Sequence, residues 1–243
     1  RYQLNPHFLF NTLNSISTLV LLRQTEPANA MLSRLSSFLR HTLVNEVHSR
    51  VTLAQEVETL HLYLDIEKMR FEERLRSHFD IDPAVRDALL PSLLLQPLVE
   101  NAIKYAVTPQ EEGADISVSA HLDRGKLRIT VSDTGPGKTG TTAAKNDSTG
   151  VGLGNIQERL NQAYGESAIF ETRSAPGEGF TVIIALPFET REQIDREAAD
   201  DSATDEQVRN ETIFGEHAYS DADQREPVNT PAMASFQHKD LKT

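Results

Sequence analysis

Residues 5–14 read Asn-Pro-His-Phe-Leu-Phe-Asn-Thr-Leu-Asn, a stretch that combines a helix start with a histidine and several polar side chains. Asn5 is a good N-cap and Pro6 suits the first helical position, so His7 is predicted in the first turn. At about 100° per residue, the residues that share the face of His7 are polar: Asn11, Asn14 and Thr18. The opposite face carries an apolar stripe, formed by Leu9, Leu13, Ile16 and Val20. We therefore expect the imidazole to face solvent or a partner, away from the core.

A second helical pattern follows, and residues 1–50 are predicted to form a helical hairpin. The segment Glu26-Pro27-Ala28-Asn29 interrupts the first pattern, and apolar residues at spacings of three and four then run from Met31 to Leu43. Two helices bury little core by themselves. Two hairpins are therefore expected to pair into a four-helix bundle, which makes the chain a homodimer through residues 1–50.

Residues 51–188 are predicted to form a second domain that contains both helices and strands. Helical periodicity predicts helices over residues 51–75, 92–107 and 155–163. Alternation of apolar and polar residues predicts strands over residues 78–81, 115–121, 126–132, 168–174 and 179–186. The expected fold class is therefore α + α/β, with a helical hairpin followed by a two-layer α/β sandwich.

Composition limits the classes of function open to this chain of 243 residues. It contains no cysteine, which excludes disulfides and thiolate metal sites. The formal net charge of −12 argues against direct binding to nucleic acid. From Glu189 onward lie 14 of the acidic residues but only 6 of the lysines and arginines, and large apolar residues are few. Residues 189–243 are therefore predicted to be a disordered acidic tail.

Three segments of the second domain carry residue types that suit a nucleotide. Residues 96–105 place Asn101 and Lys104 one turn apart on a helix, where an amide oxygen can ligate Mg²⁺ and an ammonium group can approach phosphate. Residues 133–137 follow a strand and contain two glycines, which allow close approach of the backbone to a ligand. Residues 150–155 contain three glycines and open a helix whose amides can face phosphate. The sequence contains no Walker A motif.

Together these segments resemble the LytS/YehU-type group of sensor histidine kinases, over about residues 3–188. Residues 3–14 match the group's phosphoacceptor box, roughly Q-x-N-P-H-F-L-F-N-x-L-N, at every fixed position. Residues 53–75 resemble its sequence between the two domains, and the three segments above resemble its N, G1 and G2 boxes in the right order. The resemblance implies a Bergerat-type ATP-binding fold, autophosphorylation from Mg-ATP, and transfer to an aspartate of a response regulator, of the LytTR type.

The resemblance also assigns roles to individual residues. His7 is the implied phosphoacceptor, and Asn11 can orient a water if the protein also dephosphorylates its regulator. Asp133 is the implied acceptor for the adenine amino group, and Asn101 the implied Mg²⁺ ligand. The full implied nucleotide-binding set is Asn101, Lys104, Tyr105, Asp133, Gly135, Gly137, Gly150, Gly152, Leu153, Gly154 and Asn155. Residues 138–149 are expected to form a lid over ATP, whereas Gly177 and Gly179 are interpreted as turn residues only.

At two positions the sequence differs from the patterns of related families, and these differences help to separate the alternative functions of the chain. Phe8 follows the histidine, where many histidine kinases carry an acidic residue that serves as base. Pro97 lies four residues before Asn101, where ATPases of the gyrase and Hsp90 type carry a water-activating glutamate. The alternatives that stay open are such an ATPase, a serine kinase of the anti-sigma-factor type, and a scaffold that only dimerises.

The start of the chain leads to an expectation about cellular location. The sequence begins at Arg1 without an initiator methionine and enters the phosphoacceptor motif at once. No run of about 18 apolar residues is present. With the resemblance, this predicts the cytoplasmic portion of a bacterial inner-membrane sensor whose sensor region lies outside the given sequence.

Overall fold

The computed structural model describes residues 6–44, 50–137 and 148–196. Two helices come first, α1 (Pro6–Leu21) and α2 (Thr25–Val44), and they pack against each other as the hairpin prediction requires. The connection consists of residues 22–24, with Arg23 at a φ of 58°. It was expected at residues 26–29, but Pro27 lies in the first turn of α2. A proline is tolerated there because its missing N–H would have no helical partner.

The buried face of α1 differs from the predicted stripe. Leu9 and Ile16 pack against the core, whereas Leu13 and Val20 are 50% and 59% exposed. Phe8 is buried instead, at 3% exposure. Helix α1 contacts α2 and a third helix of the same chain, and these neighbours cover only one side of it. Of the predicted apolar stripe, two residues therefore pack against the core and two are exposed to solvent.

Helix α3 (Leu53–Phe71) joins the hairpin to the second domain. Its start is fixed by a capping box, in which the Thr52 hydroxyl accepts from the Gln55 N–H and the Gln55 side chain accepts from the Thr52 N–H. An aromatic contact links it to the hairpin, because the Phe8 ring lies 4.9 Å from the Tyr63 ring and 5.3 Å from the Phe38 ring. Phe38 belongs to α2, so this cluster ties three helices together.

The second domain contains a five-stranded mixed sheet in the order β2-β4-β5-β7-β6. Its strands are β2 (Leu75–Ile81), β4 (Ala114–Asp123), β5 (Lys126–Asp133), β6 (Ile169–Ser174) and β7 (Phe180–Pro187). All five strands were expected, but β2 begins three residues earlier than predicted. Strands β2 and β4 are parallel, which requires the helical crossover between them, and the other neighbours are antiparallel. A separate short pair, β1 (Arg50–Thr52) with β3 (Leu89–Pro91), was not foreseen.

Two further helices pack on the sheet. Helix α4 (Gln96–Ala102) continues as one π-helical segment (Ile103–Val107), and α5 (Ser148–Tyr164) follows β5. The predicted helix over residues 92–107 therefore begins later, at Gln96. Buried residues of strands and helices share one core, among them Ile116, Ile129, Val131, Leu98, Ile156 and Leu160. This helical region followed by a mixed α/β sheet domain confirms the predicted fold class.

The folded unit continues past the predicted boundary at residue 188 and ends at Gln193. Arg50 donates to the Glu189 carboxylate at 2.6 Å, and the Leu89 N–H donates to the Glu189 carbonyl at 2.8 Å. Residues 191–196 are helical. Residues 189–196 therefore do not form the predicted disordered tail, and the rest of that prediction, from residue 197, lies outside the described residues. Of the helices in the described ranges, none has the length and apolarity that crossing a membrane requires.

Candidate nucleotide and phosphoacceptor sites

A cavity of about 250 Å³ lies among α4, the sheet and α5. Leu98 of α4, Val131 of β5 and Val182 of β7 contribute apolar walls. The predicted nucleotide-binding residues that line this cavity are Asn101, Tyr105, Asp133, Gly137 and Leu153. The three predicted segments, which are far apart in sequence, therefore meet at one cavity. A mostly apolar cavity with a few polar groups is typical of a small-molecule site.

Asp133 is the last residue of β5, and its side chain is held by backbone amides. Its Oδ1 accepts from the Gly135 N–H at 2.9 Å and from the Phe180 N–H at 3.3 Å. Burial raises the pKa of Asp133 above its ordinary value, and the two backbone donors partly oppose this. The result is an oriented hydrogen-bond acceptor in a largely apolar cavity.

Gly179 contacts the backbone of Asp133, a role that its sequence context did not indicate. Its φ is +75°, and a Cβ there would overlap the carbonyl oxygen of Asp133. Gly135 is also in close contact, because a Cβ would lie 2.6 Å from the Cβ of Ala106. Gly137 has a φ of +68°, a conformation that favours glycine. These glycines allow the strand end, the following turn and the π-helical segment to approach one another around Asp133.

Asn101 provides the amide group on the α4 side of the cavity. Its Nδ2 is buried without a hydrogen-bond partner among the described residues. Gly152 of α5 lies next to it, since a Cβ there would be 3.7 Å from Nδ2. The amide carries an oxygen acceptor and a nitrogen donor of similar shape, so a half-turn of the side chain exchanges them. A hard cation would find its preferred oxygen ligand here.

Other predicted residues lie beside the cavity rather than in its lining. The Lys104 ammonium donates to the Tyr105 hydroxyl at 2.8 Å and lies 4.6 Å from the centre of its ring. Gly154 and Asn155 are exposed in α5. Gly150 lies in the first turn of α5, which starts at Ser148. The predicted lid lies outside the described residues, apart from residues 148 and 149 in this helix.

Glu100 is adjacent to Asn101 in sequence but faces away from the cavity. Its carboxylate accepts from the Gln96 side-chain amide at 2.8 Å. Its charge also contributes to raising the pKa of Glu67 on α3, where burial is the largest cause. Glu67 accepts two bonds from Arg70, at 2.6 and 2.8 Å, so the two side chains form an ion pair on α3. Among the described residues that line the cavity, Asp133 is the one carboxylate.

His7 is exposed in the first turn of α1, as predicted. The amide Nδ2 of Asn11, one turn on, lies 3.0 Å from His7 Nδ1 and 3.3 Å from Nε2. An amide N–H can donate only to an unprotonated ring nitrogen. The contact therefore holds the imidazole in a preferred orientation on the polar face of α1.

Comparison with protein families agrees with this arrangement of a histidine helix and a nucleotide-type cavity. Residues 1–75 match the family model described as "Histidine kinase". Residues 86–190 match the one described as "Histidine kinase-, DNA gyrase B-, and HSP90-like ATPase". The second match supports an ATP-binding domain, and the first supports a protein histidine kinase.

The chain belongs to the sensor histidine kinases, the family of YesM and LytS. It is 38% identical to sensor histidine kinase YesM of Bacillus subtilis over 188 residues, which cover 76% of this chain and 32% of YesM. It is 36% identical to sensor histidine kinase/phosphatase LytS of Staphylococcus aureus over 200 residues, which cover 79% of this chain and 34% of LytS. The chain thus spans about a third of the length of these curated relatives. The resemblance found in the sequence is confirmed.

A solved structure, the histidine kinase domain of the blue-light activated kinase from Erythrobacter litoralis EL346, aligns with 70% of this chain and 83% of its own length. The sequence identity is 17% and the TM-score 0.45.

Proposed function

We propose that this chain is the catalytic core of a sensor histidine kinase that phosphorylates its own His7 from Mg-ATP. The proposed second reaction is transfer of the phosphoryl group to an aspartate of a response regulator. The observation that carries the proposal is the presence in one chain of the exposed His7–Asn11 pair and of the cavity lined by Asp133 and Asn101.

The residues of the cavity suit ATP in specific ways. The Asp133 carboxylate is an oriented acceptor for the adenine amino group, and the apolar walls suit the base. Asn101 Oδ1 would ligate Mg²⁺, and Lys104 would supply positive charge near the phosphates. When bound, the cation neutralises charge that develops on the phosphate oxygens.

The proposed chemistry at His7 is a direct displacement. A ring nitrogen attacks the γ-phosphorus, the bond from that phosphorus to the ADP oxygen breaks, and the ring then loses its N–H proton. Asn11 contributes by orienting the ring. The description of LytS as a kinase and phosphatase makes regulator dephosphorylation a further proposal here, with Asn11 orienting the water.

The competing activities differ in their products. The described residues lining the cavity offer no second carboxylate that could activate water, and Pro97 cannot act as a base, which disfavours an ATPase. Incubation with labelled ATP and Mg²⁺ should place acid-labile, base-stable phosphate on histidine. Acid-stable label on serine would instead support a serine kinase, and phosphate release without label would support an ATPase.

Asp133→Asn should weaken binding of a magnesium complex of a non-hydrolysable ATP analogue at least about tenfold, because a charge-assisted hydrogen bond to the adenine amino group is lost. The asparagine oxygen can still accept from Gly135 and Phe180, so the fold should persist. Isothermal titration calorimetry measures the affinity, and circular dichroism checks the fold. An unchanged affinity in the folded variant would remove Asp133 from the adenine site.

The same variant has an expected pH dependence without nucleotide. Because burial raises the Asp133 pKa, this group favours folding below its unfolded pKa and loses that contribution as pH rises through its folded pKa. Asp133→Asn should therefore be at least as stable as the wild type at about pH 7, with a difference that shrinks towards about pH 4. Urea unfolding at several pH values measures this. A clearly less stable asparagine variant at neutral pH would contradict the cause assigned to the shift.

We also propose that two chains dimerise through the hairpin. The large apolar side chains that stay exposed on α1 and around its connection to α2 are Phe10, Leu13, Val20, Leu21, Leu22 and Leu32. Such a cluster is typical of a face that another chain covers. The four-helix bundle, the LytTR-type regulator and the position in the cytoplasmic part of a membrane sensor stay predictions that follow from the family resemblance.

Leu13→Glu combined with Val20→Glu should convert the dimer to a monomer, because the charges would be buried at the interface. Light scattering at micromolar concentration should report about twice the chain mass for the wild type and a single chain mass for the variant. Leu122→Glu is the matched control, since Leu122 is similarly exposed at 47% but lies in β4. Deletion of residues 1–50 is a poorer test because it would uncover Tyr63. A wild-type monomer, or a dimeric variant, would refute this interface.

A further inference from the structure

Helix α4, which carries Asn101, is held at its N-terminal end by a buried carboxylate. Glu56 of α3 is 5% exposed. Its two oxygens accept from the backbone N–H groups of Leu93 at 2.5 Å, Leu94 at 2.9 Å and Leu95 at 3.1 Å. Leu93 has a φ of 56°, an uncommon conformation for a leucine. The carboxylate thus fixes the turn that leads into α4.

The other end of the same helical segment is held by a guanidinium. Arg74, three residues after α3, donates through Nη2 to the carbonyls of Val107 at 3.0 Å, Thr108 at 3.2 Å and Gln110 at 2.7 Å. These carbonyls lie where the π-helical segment ends. Gly113, with a φ of +74°, packs so closely on the Arg74 backbone that a Cβ would overlap its carbonyl oxygen. The position of Arg74 is therefore itself constrained.

The two contacts match the polarity of the helix they hold. Helix N-termini present unpaired N–H groups and partial positive charge, and C-termini present unpaired carbonyls and partial negative charge. Glu56 accepts from the N–H groups of the turn just before the helix, at Leu93–Leu95, and Arg74 donates to carbonyls at the C-terminal end. From α5, Arg159 adds a third contact by donating to the Ser92 carbonyl at 2.7 Å. Polar contacts from α3 and from the residues just after it thus hold the turn before α4 and the end of the π-helical segment that continues α4.

We infer that Glu56 and Arg74 are positioning residues for the nucleotide site, which clamp the helix that carries Asn101 and Tyr105. The inference rests on the proposed nucleotide site. Helix α3 also packs its Tyr63 ring against Phe8, the residue after His7. Helix α3 thus contacts both the turn before α4 and the helix that carries His7. The family resemblance pointed to neither residue as part of the site.

Glu56→Gln and Arg74→Met should each weaken binding of the magnesium complex of a non-hydrolysable ATP analogue about tenfold, because each loses charged hydrogen bonds to the backbone around α4. Affinity is measured by calorimetry and corrected for any unfolded fraction. Glu58→Gln is the control for the first, since Glu58 lies on α3 with a 62% exposed side chain. Arg76→Met is the control for the second, since Arg76 donates to Asp115 and to the Glu73 and Glu112 carbonyls but to none of the carbonyls that Arg74 contacts. Arg74→Lys should restore part of the affinity, which loss of stability alone would not explain.

Hydrogen exchange without nucleotide tests the clamp independently. The amides of Leu94 and Leu95 should exchange faster in Glu56→Gln than in Glu58→Gln. Unchanged exchange, or affinities within about twofold of the controls in folded variants, would overturn the inference. If the wild type binds no nucleotide, the proposed function is wrong. Hydrogen exchange of the Leu94 and Leu95 amides would still test whether Glu56 holds the turn before α4. If Glu56→Gln does not fold, the three Arg74 and Arg76 variants decide alone.

Discussion

His7→Gln should abolish phosphohistidine formation while nucleotide binding persists. His7 is exposed, is oriented by Asn11, and lies on α1 outside the set of residues that line the cavity. A histidine ring nitrogen is the nucleophile that the proposed displacement needs. Glutamine keeps polarity and approximate size but offers no such nucleophile. Acid-labile label from γ-labelled ATP should therefore fall to background, with the affinity for the ATP analogue unchanged.

Three of the other described histidines provide controls for this expectation. His41, His61 and His78 lie in no comparable motif, and His78 instead contacts the Asp115 carboxylate at 3.1 Å. His78→Gln should keep full labelling. His48, also predicted to be dispensable, lies outside the described residues. Label that survives in His7→Gln would reject the phosphoacceptor assignment, and label on serine would favour the serine-kinase alternative.

Gly179→Ala should strongly reduce both stability and nucleotide affinity. The added Cβ would overlap the Asp133 carbonyl oxygen, and the φ of +75° is unfavourable for alanine. Left-handed strain of about 1–2 kcal/mol and overpacking of about 1–3 kcal/mol predict a loss of about 2–5 kcal/mol in the free energy of unfolding. Because any relief must move the end of β5, the analogue affinity of the folded fraction should also fall at least about tenfold. Urea unfolding and calorimetry measure the two effects.

The same turn contains a matched control. Gly177 has a nearly identical φ of +78°, but a Cβ there would meet no atom within 4 Å. Gly177→Ala should therefore lower the free energy of unfolding by only about 1 kcal/mol, the cost of an alanine in this left-handed backbone conformation. Its nucleotide affinity should be unchanged. If both variants lost the same free energy of unfolding and the same nucleotide affinity, backbone strain alone would explain the effects. The contact of Gly179 with Asp133 would then contribute nothing.

Local patterns were sufficient to predict most of the elements and to select candidate site residues, whose roles stay predictions. The N-cap and proline before His7 indicated the helix start, and alternation in β4 and β5 indicated the hairpin, because these signals depend on neighbouring residues. The polar residues at 101 and 133 and the glycines near them indicated a nucleotide site through their order along the chain. The structure brings Asn101, Asp133 and Leu153 to one cavity.

Periodicity alone did not show which apolar residues of α1 would be buried. The stripe with Leu13 and Val20 was correctly apolar, yet both residues are exposed while Phe8 is buried. An apolar pattern indicates that one face of a helix favours burial, but it does not specify which neighbouring element covers that face. Here α2 and α3 cover one side of α1. The contact of Phe8 with Tyr63 decided the orientation, and only the tertiary structure contains it.

The sequence by itself determined the histidine helix, the strands and the chemical character of the cavity. Only the tertiary structure decided that Glu56 holds the turn before α4 across 37 residues of sequence, and that Arg74 holds the end of the π-helical segment across 33. It likewise decided that Gly179 contacts Asp133. The physical reason is that backbone N–H and carbonyl groups occur in every residue and leave no sequence signal. Which of them a distant charged side chain satisfies depends on how the elements pack.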